Sequence, residues 1–171
     1  MDSEAHVLEA MIKYIQSTLE QPNSVFGGLP ICPYVQRARL QQLIQFYVYP
    51  FDLSCLAPAS ELMTAIEEFR AQQHFEVMLI IHSDRDGISL AQLQTFVEAL
   101  DQQLAPMQLT AFGGHPEDPF QIHNVRTRQE PYPNIAIQSI QKLKQASEQL
   151  SKTHYYDHWT ANNLKSVGLP R

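Results

Sequence analysis

His115 follows Gly113-Gly114 and precedes Pro116, so its ring is expected on a rigid turn at the end of an apolar run. An imidazole in that position can move a proton near neutral pH or ligate a metal. The rival account is a turn histidine that bonds neighbouring carbonyls. His82 closes a second apolar run, Phe75 to Ile81, and can orient a reacting group there; its rival is a partly buried edge residue. Cys32 stands before Pro33, and Pro suits the first turn of a helix, which would place the thiol at an N-cap. There, with Arg37 or Arg39 close by, the thiolate is favoured and the sulfur can act as a nucleophile. Read blandly, Cys32 is a small apolar residue locking a Pro-rich turn.

Arg126 and Arg128 lie two apart, so on an extended segment they project to one side and can grip a carboxylate or phosphate with bidentate bonds. Otherwise they are solvated and pair with Glu117 and Glu130. Tyr132, between Pro131 and Pro133, offers a hydroxyl to a substrate or packs its ring. His82, His115, Asp118 and His123 permit a metal site of histidines plus one carboxylate with open positions. Their spacing matches no His-Glu-x-x-His signature, and Asp118-Pro119 also suits a turn cap. Cys55 has no supporting context and is expected in the core, while His154, Asp157 and His158 belong to an aromatic, solvated tail. Most of these groups fall in the stretch from Ala111 to Asn134, longer than a structural link needs to be. That length points to a site.

The elements that must position them follow from periodicity. Val7, Leu8, Met11, Ile12, Ile15 and Leu19 fall on one face of a helix over Ser3 to Glu20, which Pro22 ends. A short helix is expected from Pro33 to about Leu40. Ile44, Phe46 and Val48 alternate with polar or aromatic neighbours as a half-buried strand does. Pro58 opens a helix with Leu62, Ile66 and Phe69 inward. Phe75 to Ile81 is the central strand, and Ser89 caps a helix whose Leu90, Leu93, Val97, Leu100 and Leu104 form a seam. Met107 to Phe112 is a third strand. Pro133 then starts another helix bearing Ile137, Ile140, Leu143 and Leu150. These elements predict an α/β or α+β fold: a single domain over residues 1–152, with a small three- to four-stranded sheet packed with helices, and an aromatic, polar tail over 153–171. If the strands run parallel, His82 and His115 share the sheet edge where ligands bind.

With 171 residues, 44% hydrophobic and 18% charged, the chain has the composition of one globular domain. A net charge of -6 with scattered Lys and Arg argues against nucleic-acid partners and against an acidic membrane surface. The longest apolar run, Val77 to Ile81, is too short to span a bilayer, and no signal peptide is expected at the start. Two cysteines suit a reducing compartment, so the expected location is cytoplasmic. No nucleotide fingerprint or nucleophile elbow appears, and no nucleotide cofactor is indicated.

Cys32-Pro33-Tyr34, the strand ending in His82, the run Phe112-Gly113-Gly114-His115-Pro116 and Pro131-Tyr132-Pro133 occur in an order that resembles an uncharacterised bacterial domain-of-unknown-function family. The resemblance covers about Leu29 to Leu150 and implies a bacterial cytosolic protein, but it brings no activity. Tyr34 stands where that family has Phe, Gln129-Glu130 where it has Arg-Ser, and Ala136 where it has His. The residues favour a small-molecule enzyme acting on an anionic carboxylate or phosphate substrate by histidine-assisted acid/base chemistry. Alternatives are a metal-dependent enzyme in the same pocket, with a metal ion as cofactor, or a non-catalytic binding or assembly factor with a protein partner.

Overall fold

The computed structural model describes residues 2–51 and 58–169, so Cys55 lies outside the described residues. Ser3 caps α1 (Glu4–Tyr14) by accepting a hydrogen bond from the His6 amide, and the helix buries Val7, Met11 and Tyr14 at helical spacing. It widens into a π-helical turn over Ile15–Leu19, which completes the helical span expected from the sequence. A short α2 (Val35–Leu40) begins two residues after Pro33 and leads into β1 (Ile44–Val48). The next helix, α3 (Ser60–Ala71), turns Leu62, Ile66 and Phe69 inward. After β2 (Val77–Ile81), a capping box between Ser89 and Gln92 starts α4 (Leu90–Leu104), which buries Leu93, Phe96, Leu100 and Leu104.

The chain continues through β3 (Leu109–Gly114) and a small hairpin of β4 (Gln121–Ile122) and β5 (Val125–Arg126). His123 and Asn124 make its turn at φ 45° and 67°, the left-handed pair a two-residue hairpin needs. β6 (Asn134–Ser139), α5 (Ile140–Leu150) and α6 (Ala161–Ser166) complete the described elements. Here the expected helix from Pro133 is corrected: the six residues that follow Pro133 are a strand. Ile137, Ile140 and Leu143 recur at helical spacing, but Ile135 and Ile137 alternate with Asn134, Ala136 and Gln138. That alternation prevails because both isoleucines are fully buried on one face of the sheet.

The sheet order is β1-β2-β6-β3, with β1 parallel to β2 and β6 antiparallel to both of its neighbours. The result is a small α+β domain with a mixed sheet. One face carries Met78, Ile80, Ala111, Ile135 and Ile137 into a core with the inward residues of α3 and α4. On the other face, Leu79 and Ile81 meet Val7, Met11 and Tyr132, joined by Ile44, Phe46 and Val48. A third cluster of Phe26, Ile122, Leu150 and Tyr155 takes in Trp159, so the aromatic residues of the tail pack against the body while His154, Asp157 and His158 stay exposed as expected. Gly27 makes room for that docking: a Cβ there would lie 2.7 Å from the His154 Cβ. Among the described residues no helix is long and apolar enough to cross a membrane.

Ile137, fully buried in the central strand, is a sensitive probe of this register. Ile137→Ala is expected to lower unfolding free energy by about 2–5 kcal/mol, whereas Lys144→Ala on exposed α5 changes it by less than about 0.5 kcal/mol. Urea midpoints of the two variants check this.

Candidate functional site

Because β2 and β3 both run antiparallel to β6, their carboxyl ends share one edge: Ile81 and Gly114 flank Asn134. His82 and His115 step off that edge and are both buried. The His115 Nδ1 accepts the Glu117 amide at 3.1 Å, so Nε2 carries the proton and donates it to the Ile88 carbonyl at 3.0 Å. Both nitrogens of the expected acid/base are thus engaged with backbone. The His82 Nδ1 sits over the Asp84 backbone, 2.9 Å from its carbonyl and 3.1 Å from its amide, and its ring meets Phe51 edge-on at 5.0 Å. Gly87 passes over it so closely that a Cβ there would lie 2.8 Å from Cε1. The two histidines are brought to one edge as expected, where each secures part of the turn between Ser83 and Ile88.

The guanidinium pair is committed as well. Arg126 donates to the Asp118 carbonyl at 2.8 Å, and Arg128 pairs with the Asp118 carboxylate at 2.9 Å while lying 4.6 Å over the Phe120 ring. Neither Glu117 nor Glu130 takes the role of ion-pair partner; the buried Asp118 does, and it also accepts the Phe120 amide at 2.9 Å. The Tyr132 hydroxyl, expected toward a substrate, donates to Asp2, and burial together with that carboxylate pushes it up to about 12. The metal set does not assemble. No group of three or more His, Cys, Asp or Glu among the described residues can hold an ion, and His123 faces His158 with ring centroids 4.9 Å apart.

A cavity of about 580 Å³ opens on the second face of the sheet, between the π-helical turn, the segment from Cys32 to Ala38, and α5. Ile44, Leu79 and Ala136 line it from the sheet; Tyr34, Tyr155 and Trp159 add aromatic surface; and Tyr14, Cys32, Glu130 and Asn134 bring polar groups. The helix cap falls at Tyr34 rather than at Cys32, which lies in the turn just before it, where the amides of Tyr34 and Val35 favour its thiolate. Burial outweighs them and, with Glu20 adding repulsion, pushes the thiol up, so the sulfur keeps its proton. The arginines expected to help it are spent elsewhere: Arg39 holds Glu20 through two bonds of 2.6 and 2.9 Å, and Arg37 pairs with Glu76.

Glu130 was visible in the sequence only as an ion-pair partner. In the structure its carboxyl lies against Gly114, where a Cβ would be 2.8 Å from Oε1 and 2.8 Å from the Asn134 Nδ2. Oε2 is shut off from solvent and has no hydrogen-bond partner among the described residues, and the Trp159 Nε1 is in the same condition. Burial pushes Glu130 up to about 7, with Asp118 reinforcing the shift and its own amide and Arg128 opposing it. Tyr14 spans the gap beside it. Its hydroxyl accepts the Gln129 amide at 3.2 Å and donates to the Thr127 carbonyl at 3.3 Å, while burial first, then Glu130, pushes it up. A contact between a strand-end glycine and a carboxylate beyond a hairpin leaves no local spacing to read.

No family model, curated protein or solved structure matches the chain. The bacterial resemblance therefore rests on its four motifs alone.

Two outcomes test these assignments. His115→Ala leaves the Ile88 carbonyl and Glu117 amide without partners and is expected to lower stability by about 1–3 kcal/mol, read from denaturant midpoints. Glu130 gives a pH dependence of definite sign. Unfolded, it loses its proton near its ordinary 4.5; folded, it keeps the proton to about 7. Between those values the native state binds more protons, so stability falls as pH rises and the loss is complete above the upper one. Glu130→Gln is expected to remove that decline and to be the more stable protein above about pH 8, by a margin on the order of 2 kcal/mol.

Proposed function

We propose that the chain is a small-molecule enzyme whose reaction centre is the cavity on the second sheet face, with Glu130 in the acid/base role that the sequence suggested for His115. The observation that carries this reading is a carboxyl pushed up to about 7 on the wall of a 580 Å³ cavity, one of its oxygens without a hydrogen-bond partner among the described residues. A group that titrates near the working pH gives and takes protons with the least penalty in either direction. Groups perturbed by burial inside a cleft are characteristic of active sites.

The walls support a substrate with a largely apolar body, because aliphatic and aromatic side chains outnumber polar ones around the cavity. Cys32 lies along the same surface as a protonated thiol, and it becomes a nucleophile only when a base removes that proton. Tyr14 interacts electrostatically with both Cys32 and Glu130, so the two groups occupy one neighbourhood. The anionic-substrate reading loses its support where Arg126 and Arg128 are tied to Asp118.

The test uses small molecules that co-purify with the native chain, together with a metabolite library screened for turnover. Any reaction found is expected to show a rate profile with an apparent pKa of about 7, and Glu130→Gln is expected to reduce kcat/KM by about a hundredfold or more. Turnover that persists unchanged in Glu130→Gln would remove the proposal.

A further inference from the structure

We infer that the molecule received by this cavity ends in an organic ammonium group, which pairs with the Glu130 carboxylate while its apolar body lies among the aromatic walls. This rests on the reading of the cavity as the site and adds the chemical class of what enters it.

Among the described residues Glu130 has no cation of its own. Arg128, the guanidinium that acts on it, forms its ion pair with Asp118 at 2.9 Å. Arg37 and Lys142, the cations on the cavity wall, both face Glu76, Lys142 at 3.9 Å. Those two side chains are 47% and 50% exposed, where water screens them, and so place little positive potential deep in the site. A buried carboxylate left unpaired is unfavourable, and its missing partner is a cation or a strong donor. Five aromatic residues line the same walls, Tyr14, Tyr34, Tyr155, Tyr156 and Trp159, and aromatic rings attract cations to their faces. The groups that act on Glu130 are Asp118 and Arg128 from the segments around the hairpin and Tyr14 from α1; the last has Cys32 as a further neighbour. None of them supplies a free positive charge. Only the ionised carboxylate attracts an ammonium strongly, so binding displaces the proton of Glu130 and strengthens as pH rises.

The test is isothermal titration of the full chain with hexylammonium, 1-hexanol and hexanoate at about pH 6 and about pH 8. Hexylammonium is expected to bind about tenfold more tightly at the higher pH, following the ionised fraction of Glu130, and to release protons to the buffer. Glu130→Gln is expected to abolish that dependence and weaken binding at the higher pH by at least about tenfold. Hexanol or hexanoate binding as tightly as hexylammonium at the higher pH overturns the ammonium assignment while leaving the cavity as the site. Flat affinity between the two pH values, or no binding of hexylammonium, also overturns it, and this comparison in the native chain remains decisive if Glu130→Gln fails to fold. Ala136→Phe, which fills the cavity from the sheet, separates the two ideas: binding that survives it lies elsewhere and counts against both.

Discussion

The last residue of β3 has no side chain, and the carboxyl of Glu130 takes the space one would need. A Cβ on Gly114 would approach both the Glu130 Oε1 and the Asn134 Nδ2 to 2.8 Å, far inside ordinary contact. Gly114 has no left-handed backbone angle to justify it, so the requirement is for room. That room lets the chain from Thr127 to Pro133 cross the second face of the sheet before entering β6. Tyr14 then fixes the crossing, accepting the Gln129 amide and donating to the Thr127 carbonyl. The Asn134 side chain bonds the Tyr132 carbonyl at 3.0 Å, and the Tyr132 hydroxyl reaches Asp2, so both ends of the segment are pinned. The segment held this way keeps the Glu130 carboxyl buried, and burial governs its protonation.

The side chains that look most reactive in the sequence maintain this geometry from a distance. Burying an imidazole or a carboxylate is unfavourable unless its polar atoms find partners. Here the partners are backbone groups of tight loops: Ile88 and Glu117 for His115, Asp84 for His82, and Phe120 for Asp118. Each bond satisfies a main-chain group that no strand or helix serves and fixes a turn at the sheet edge. Asp118 also holds Arg128 over Phe120, whose ring lies 6.4 Å from Trp159, so the hairpin, the Asp118 turn and the C-terminal aromatic cluster are joined through one ion pair. Rigid loops rich in Gly, Pro and polar residues serve a fold as readily as a reaction, and residue type alone does not separate the two.

What the sequence disclosed follows from the range of the signals. Helices α1, α3 and α4, and strands β1 to β3, were legible because each repeats apolar residues at a period its own few turns or pleats enforce. A shared edge for His82 and His115 was conditional on their strands running parallel, a condition β2 and β3 meet through β6. β6 was obscured because Ile137, Ile140 and Leu143 bridge the strand and the following helix at helical spacing, so one periodicity ran over another. Glu130 was obscured for a different reason. Its environment is made by Gly114, Tyr14 and Asp118, residues from three separate parts of the chain, and only the sheet order β2-β6-β3 brings them together. The turn before α2 was legible, but its cap fell at Tyr34 instead of Cys32, and the thiol's protonation was not legible because it depends on burial in the fold.

The two faces of the sheet differ in how they are closed, and the cavity follows from that difference. α3 and α4 seal the first face with side chains that are almost wholly buried. On the second, α1 covers β1 and β2, but α5 buries only Leu150 of its own residues. Polar contacts at the rim hold α5 over the remainder: the Tyr34 hydroxyl lies 3.2 Å from the Gln149 Oε1, and Lys142 faces Glu76. Such exposed contacts contribute little stability each and are readily exchanged for water. A helix packed through its apolar stripe would have filled the space between itself and Ala136; one held at its edge leaves that space open. If the cavity is the site proposed above, the wall with the weakest packing is the one past which a small molecule would enter and leave, while the strongly packed face on the other side keeps Glu130 in register.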